Sequence, residues 1–227
     1  MSSINQLVSE IAHNYGQADN LPARRAIKLA IIHARNTLIR QSYTNHGYID
    51  KGLQQRIKLS LIDINDGDMD FGDDVEITLK KIKRTTQKVP RPVRLTNNLP
   101  FQSIRTAGVI NPIEIPFVKE PVSKFYSQLP GMCHTITYDY INEYIYLNLS
   151  NNSLFNQLGF IIVESVFEYP QLINIETHQG IEDLSDDDNE FLLPEDMIEG
   201  IKAFIKEHFT FEQYKDTNEI SKLNLVK

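Results

Sequence analysis

Residues 27–62 have the sequence IKLAIIHARNTLIRQSYTNHGYIDKGLQQRIKLSLI, and the spacing of the apolar residues changes within this stretch. In its first part the apolar residues recur every three or four positions, which is typical of one face of an α-helix. From Ile57 to Leu61 apolar and polar residues alternate, which is typical of a half-buried β-strand. The stretch therefore predicts a chain that passes from a helical part to a β-rich part.

The helix in this stretch is predicted to begin after Asn20, which can cap it, and to end at Asn45-His46-Gly47. Its apolar stripe is predicted to contain Ile27, Ala30, Ile31, Ala34 and Leu38, widened by Leu29, Ile32 and Ile39. The opposite face is predicted to carry Arg24, Arg25, Lys28, Arg35 and Arg40. A shorter helix precedes it, because Ser3 and Gln6 have the spacing of a capping box and Gly16 suits a helix end.

The β-rich part is predicted to contain several strands and a hairpin. Val75 to Leu79 alternates as residues 57–61 do, and residues 135–149 form a hairpin with its turn near Asn142-Glu143. Phe160 to Phe167 is a predicted buried strand. Residues 89–94 are expected to form an extended surface strap, because their two prolines cannot donate to a sheet, and residues 108–131 are expected to be irregular.

The chain ends with a predicted helix that Pro194 opens, followed by a polar tail. The predicted fold class is therefore α+β, with an N-terminal helical hairpin, a central antiparallel β-rich body, a C-terminal helix and an extended tail. We expect one domain, divided into a helical hairpin (1–47), the β-rich body (48–180), an acidic loop with the closing helix (181–209) and the tail (210–227).

Composition points to a globular protein made and folded in a reducing cytoplasm. Apolar residues make up 41% and charged residues 23% of the 227 residues. Cys133 is the only cysteine, so an internal disulfide is excluded. No basic segment followed by an apolar stretch opens the sequence, and the most apolar window, residues 160–163, is too short to cross a bilayer. We therefore expect neither secretion nor a membrane partner.

Charge is distributed unevenly along the chain. Residues 1–124 hold 18 of the 23 Lys and Arg, whereas residues 125–201 hold 14 acidic residues and no Lys or Arg. Eight of those 14 acids lie in residues 182–196, so the two ends of the folded surface differ in charge only if the other acids are also exposed. Such asymmetry favours contacts between unlike surfaces of neighbouring molecules.

Three groups of residues could carry chemistry, and none matches a known template. Residues 66–74 are rich in Asp, but counting an EF-hand loop from Asp66 places Phe71 and Ile77 where Gly and Glu are required, so a solvated turn is favoured over a cation site. Asp186, Asp187 and Asp188 are consecutive and therefore do not converge on one ion. Cys133 and His134 are neighbours that would point apart on a strand. We expect no catalytic residue, no metal ligand and no cofactor.

The clearest charged feature is a basic run of seven Lys and Arg within residues 80–94. Such a run can contact phosphate, but no aromatic residue interleaves to stack on bases. On an exposed strand, basic residues also keep a sheet edge from pairing with another chain. A solvated face or a protein partner is favoured over nucleic acid.

The order of elements resembles that of the ring proteins, or head-to-tail adaptors, in virions of crAss-like short-tailed bacteriophages. The resemblance is carried by the two N-terminal helical stretches, by the hairpin with the later strand, and by the start of the last helix. The residues concerned are 4–7, 28–41, 135–149, 166–170 and 192–198.

The resemblance implies a homo-oligomeric, twelve-fold ring in the neck of the virion, beneath the portal protein. It implies further tail ring proteins as partners and DNA that passes through the lumen without sequence-specific binding. The candidate contacts between subunits are Lys80, Lys81, Lys83 and Arg84 on one copy and Asp186, Asp187 and Asp188 on the next. The candidate portal-contact tail contains Phe209, Phe211, Tyr214, Ile220, Leu223 and Leu225. The alternative is a non-catalytic binding module, possibly one that binds nucleic acid through residues 80–94.

Overall fold

The computed structural model describes residues 3–64, 81–97, 99–107, 112–118, 136–149, 157–173 and 191–209. The chain divides into two compact units, one made of residues 1–41 and 186–227 and the other of residues 42–185. The first unit is helical, and the second contains an antiparallel sheet. The predicted α+β class is therefore confirmed.

Helix α1 (Ile4–Asn14) begins at the capping box that the sequence predicts. The Gln6 backbone N–H donates to Ser3 Oγ at 3.2 Å, and the Ser3 N–H donates to Gln6 Oε1 at 3.1 Å, so two helix-end donors are satisfied. Gly16 follows the helix with a φ of 65°, a conformation that glycine adopts without strain. One face of the helix is apolar and buried: Ile4, Leu7, Val8, Ile11 and Ala12.

Helix α2 (Leu21–His46) is capped by Asn20, whose Oδ1 accepts from the Ala23 N–H at 3.2 Å. Gly47 has a φ of 75° and ends the helix where the sequence predicts. Two side chains were assigned to the wrong face. Leu29 was expected in the apolar stripe but is 61% exposed, and Arg35 was expected at the surface but is fully buried.

The burial of Arg35 has a physical explanation in its neighbours. Its Nε donates to the Leu192 carbonyl at 3.1 Å, and Nη1 donates to Asn36 Oδ1 at 3.2 Å. Its guanidinium also lies 5.6 Å from the centre of the Phe191 ring, so polar and aromatic contacts replace water. Burial lowers the pKa of Arg35 to about 10.

Helix α3 (Glu195–His208) follows Pro194 and completes the helical unit. Ile201 and Ile205 form its buried face, while Ile198 and Phe209 are partly buried. The three helices and the segment before α3 share one hydrophobic core. Its buried members are Ile4, Leu7, Val8, Ile11, Ala12, Ile27, Ala30, Ile31, Ile32, Ala34, Phe191, Leu193, Ile201 and Ile205.

The second unit is built on six antiparallel strands within the described residues. Their order across the sheet is β3-β6-β1-β2-β5-β4. Their bounds are β1 Gln55–Asp63, β2 Lys81–Thr85, β3 Ser103–Thr106, β4 Thr137–Ile141, β5 Tyr144–Leu149 and β6 Phe160–Ser165. Single turns of 3-10 helix lie at Lys51–Leu53 and Pro170–Leu172.

Strand β1 holds the sheet together because its two halves have different partners. Residues Gln55 to Ser60 pair with β6, and Leu61 to Asp63 pair with β2. A strand that changes partners in this way allows a sheet to bend sharply. The sheet therefore curls around its apolar side.

Residues 113–118 join the two outer strands of the curled sheet. The Ile115 N–H donates to the Ile104 carbonyl on β3 at 2.8 Å, and the Val118 N–H donates to the Tyr138 carbonyl on β4 at 3.2 Å. Isolated backbone β-bridges join Glu114 to Arg105 and Phe117 to Tyr138. This part of the segment expected to be irregular thus supplies short pairings that cover both edges of the sheet.

The predicted hairpin is confirmed by β4 and β5. Its turn residues Asn142 and Glu143 both have positive φ, 52° and 69°. Two consecutive residues of this kind are the signature of a type I′ turn, whose twist matches that of the flanking strands.

The proline-containing strap is extended, as predicted, but it is only partly a surface feature. Val89 and Val93 are buried, and the Val93 N–H donates to the Val166 carbonyl at 2.8 Å. The sheet and the strap share a core separate from that of the helices. Its buried members are Ile57, Leu59, Val89, Phe101, Ile104, Ile115, Ile136, Tyr138, Ile145, Leu147, Ile161, Val163, Phe167 and Ile173.

Several predictions lie outside the described residues. They are the strand at 75–79, the acidic turn at 65–74, the acidic loop at 182–190 and the tail at 210–227.

Candidate functional site

The basic run of residues 80–94 contains the basic residues predicted to contact a neighbouring subunit. In the structure these residues lie in different environments. Lys80 lies outside the described residues, and for Lys81 only the backbone, in β2, is described. The other five bases lie in four different environments: Lys83, Arg84, Lys88 with Arg91, and Arg94. They do not form one continuous basic face.

Lys83 points into the interior of the curled sheet. It pairs across the sheet with the buried Leu147 on one side and with Asp63 on the other. Only 7% of its side chain is exposed, and its Nζ donates to the Leu158 carbonyl at 3.0 Å and lies 3.4 Å from Asp63 Oδ1. The ammonium is therefore satisfied within its own chain, in keeping with the cost of burying an unpaired charge.

Arg84 follows on the outer side of the same strand. Its guanidinium lies 4.6 Å from the centre of the Tyr144 ring on β5, within range of a cation–π contact. The contact holds the cation against the hairpin. Arg84 thus remains a surface candidate, whereas Lys83 belongs to the interior.

Lys88 and Arg91 meet a single carboxylate at the hairpin turn. Arg91 Nε donates to Glu143 Oε1 at 2.6 Å, and Lys88 Nζ lies 3.5 Å from Glu143 Oε2. The hydrogen bond from Arg91 lowers the pKa of Glu143, and the same bond raises the pKa of Arg91. Because both bases share one acid, the net positive charge at this turn is smaller than the sequence suggests.

A cleft of about 940 Å³ lies beside this turn, entirely within the second unit. Its wall mixes apolar and aromatic residues with charged ones. The lining residues are Arg91, Pro92, Arg94, Leu95, Leu99, Pro100, Phe117, Tyr140, Asn142, Glu143 and Glu168. Burial raises the pKa of Tyr140 to about 12, so its hydroxyl stays neutral at physiological pH. A cleft that combines apolar and charged groups can accept a side chain of a partner protein.

The remaining candidates can be placed only in part. Five of them lie outside the described residues: Asp186, Asp187, Asp188, Cys133 and His134. Phe209 packs, partly buried, against the helical core, while the other tail residues (Phe211, Tyr214, Ile220, Leu223 and Leu225) are outside the described part. In the ranges that the structure describes, no three His, Cys, Asp or Glu side chains are grouped closely enough to hold a metal ion.

The helical unit presents two further surfaces that the sequence analysis did not single out. Leu21 and Leu29 on α2 are 67% and 61% exposed, and Arg25 between them is also exposed. On α3, Glu195, Asp196 and Glu199 are exposed near the start of the helix. One signal was available in the sequence, since α2 carries five Arg and Lys and no acidic residue.

Across the described residues, no helix is both long and apolar enough to span a membrane. Exposed leucines on a basic helix and a cleft that mixes apolar and charged residues are features of a protein that binds other protein surfaces. The family model described as phage tail ring protein 2, of the crAss type, matches residues 6–222, and the chain therefore belongs to this family. Comparison with curated proteins gives no match.

Membership of the family makes this protein a structural component of a phage tail, and so of the virion. The predicted resemblance to a crAss-like ring protein is confirmed. Assembly into a ring together with other tail proteins agrees with the same match.

Proposed function

We propose that the chain forms a ring of twelve identical subunits in the head-to-tail passage of a tailed phage. The ring lies beneath the portal protein, contacts further tail ring proteins and encloses a channel through which DNA passes without sequence-specific binding. The protein acts as a structural subunit rather than an enzyme and is made in the host cytoplasm. The family match over residues 6–222 is the observation that carries this proposal.

The covered edges of the sheet support a ring held by side chains. Strand addition needs an exposed edge, and residues 113–118 form backbone hydrogen bonds with both outer strands, at Ile104 and Thr106 on β3 and at Tyr138 on β4. The contacts between copies are therefore made by helices, loops and the outer faces of strands. A ring also needs one surface to meet a different surface on the next copy, which suits the uneven charge of the chain.

Within this proposal, the basic residues of one copy lie near the acidic loop of the next. Lys80, Lys81 and Arg84 are the basic candidates, and Asp186, Asp187 and Asp188 are the acidic ones. Lys83, the fourth basic candidate of the sequence analysis, supports the strand that positions Arg84, since its ammonium is bonded inside the sheet. Reversing Lys80, Lys81 and Arg84 to Glu is expected to block assembly, and unchanged ring formation would reject this pairing.

The tail is the proposed contact with the portal. Phe209 anchors the start of this segment to the helical unit by packing against its core, which supports a role for the residues that follow. Deleting residues 210–227 retains Phe209 and is expected to abolish binding to the portal while leaving the thermal unfolding of both units unchanged. Retained binding would assign the portal contact to another surface.

Electron microscopy of the purified chain mixed with its phage's portal protein tests the ring itself. We expect rings of this chain stacked coaxially on the portal, because the portal supplies a template. A chain that stays monomeric beside the portal but binds DNA with a strong salt dependence would instead support the nucleic-acid-binding module.

A further inference from the structure

The outward side of helix α2 combines exposed leucines with positive charge. Leu21, Arg25 and Leu29 follow one another at intervals of four residues, which places them along one side of the helix. Leu21 and Leu29 are 67% and 61% exposed, and they are the two most exposed large apolar side chains in the described part of the helical unit. Large apolar side chains on a charged surface mark sites of protein contact.

The charge on this helix has one sign. Helix α2 contains Arg24, Arg25, Lys28, Arg35 and Arg40 and no Asp or Glu. Arg35 is buried, but Arg25 and Arg40 are exposed on the side that carries Leu29. The outer side of α2 therefore carries two exposed leucines interspersed with cations, and its partner should be acidic.

The same unit carries a matching surface on α3. Glu195, Asp196 and Glu199 are exposed in the first half of this helix, and 82% of the Glu199 side chain is accessible although it also meets Lys202 at 3.2 Å. Ala203, four residues after Glu199, is exposed as well and leaves room for a larger side chain from a partner. The exposed side of α3 from Glu195 to Ala203 thus offers carboxylates beside a small apolar residue.

We propose that the outward side of α2 in one copy binds the exposed side of α3 between Glu195 and Ala203 in the next copy. Leu29 then packs near Ala203, and Arg25 faces the carboxylates of Glu195, Asp196 and Glu199. The inference rests on the proposed ring and names one contact that closes it. It goes beyond the ring proposal because both surfaces belong to the helical unit, whereas residues 80–94 belong to the other unit.

The charges on the two helices favour a contact between α2 and α3 over a two-fold contact between two copies of α2. Two α2 helices related by a two-fold axis would bring Arg25 and Arg40 of both copies together without any acid from that helix. Like charges in an interface are strongly unfavourable, whereas opposite charges orient the partners and the apolar side chains supply most of the affinity. An α2–α3 contact repeats from copy to copy and can therefore close a ring.

The test uses the full-length chain with its portal protein and measures the concentration at which half of the chain is in rings, by mass photometry and negative-stain microscopy. Leu29→Glu is expected to raise this concentration about tenfold or more, because it places a carboxylate in an apolar contact opposite other carboxylates. Arg25→Glu and Glu199→Arg are each expected to raise it severalfold. A chain that carries both Arg25→Glu and Glu199→Arg should assemble at a concentration within about threefold of the unmodified protein. The two residues then again have opposite charges, with the signs exchanged.

Matched controls separate the contact from folding. Ile113→Glu alters a side chain that is 53% exposed in the other unit, and it should leave assembly unchanged. Circular dichroism melting of each variant should match that of the unmodified chain. If Leu29→Glu unfolds the helices, Arg25→Glu and its combination with Glu199→Arg decide the question.

The outcomes distinguish the contact from the ring. Loss of rings in the single variants with recovery in the combined variant supports the α2–α3 contact. Rings that form equally well with Leu29→Glu and Arg25→Glu, or a combined variant that is not rescued, overturn the contact and leave the ring intact. An unmodified chain that forms no ring with the portal overturns the proposed function itself.

Discussion

Replacing Lys83 by glutamate should strongly destabilise the curled sheet rather than only disturb assembly. The Lys83 ammonium donates to the Leu158 carbonyl at 3.0 Å and lies 3.4 Å from Asp63 Oδ1. A glutamate at this position would place a second carboxylate beside Asp63 and would leave the Leu158 carbonyl without its donor. The prediction matters because Lys83 lies in a basic run whose other members are candidates for subunit contacts.

The size of the effect follows from the environment of the ammonium. A hydrogen bond from a charged donor is worth about 1.5–3 kcal/mol, and Asp63 adds about 1 kcal/mol at most because it is largely exposed. Lys83→Met, which keeps the aliphatic stem, should therefore cost about 2 kcal/mol. Lys83→Glu adds an unpaired buried charge, for a total of about 4 kcal/mol or more. That is a large share of the roughly 5–15 kcal/mol that stabilises a typical protein.

Urea unfolding of the full-length chain, followed by circular dichroism and tyrosine fluorescence, measures these differences. Lys88→Glu is the matched control, since Lys88 lies in the same run with 59% of its side chain exposed and should change the free energy of unfolding by about 1 kcal/mol at most. If Lys83→Glu also costs less than about 1 kcal/mol, the assignment of Lys83 to the interior is wrong.

Three further predictions concern other contacts. Arg35→Ala should destabilise the helical unit by about 3 kcal/mol, because the Leu192 carbonyl loses a charged donor and the stem of Arg35 leaves a cavity. Urea unfolding measures this loss. Arg35→Met refills the cavity and should therefore cost less. Because Arg91 lowers the pKa of Glu143, the stability that this carboxylate contributes is present above its unfolded pKa and is lost as the pH falls through its folded pKa. Carbon NMR titration should therefore place the Glu143 midpoint below that of an ordinary glutamate, and Arg91→Gln should raise it; an unchanged midpoint would contradict the ion pair. Gly47→Ala should lower stability by about 1 kcal/mol, since its φ of 75° strains a residue with a Cβ, whereas Gly159→Ala, also in open space but without a positive φ, should have little effect on the melting temperature.

The elements with strong local signals were predictable from the sequence. The capping box at Ser3, the end of α2 at Gly47 and the I′ turn at Asn142-Glu143 depend on residues next to one another in the chain. Alternation in β1 identified its buried side for the same reason. These features are local, so their physical cause is visible without tertiary contacts.

The faces of α2 could be predicted only in part. Leu29 is exposed and Arg35 is buried, the reverse of the prediction. The helical period predicts an apolar stripe but neither its width nor the residues that pack against it. Arg35 is buried because the Leu192 carbonyl and the Phe191 ring, far along the chain, accept its guanidinium. No local pattern contains that information.

The interior of the sheet shows the same limit. In β2 the inward positions include Lys83 and Thr85, so the usual alternation of apolar and polar residues is reversed on that strand. Thr85 is tolerated inside because its Oγ1 accepts from the Ile145 N–H at 3.3 Å. The basic run consequently looked like one surface in the sequence, whereas in the fold its members face different environments.

Cryo-electron microscopy of the intact virion, at a resolution that traces side chains in the tail, tests the central claim most directly. We predict a closed ring of twelve copies of this chain between the portal and the next tail ring, with DNA or an open channel on its axis. A neck and tail in which no density fits the helical unit and the curled sheet would contradict the account.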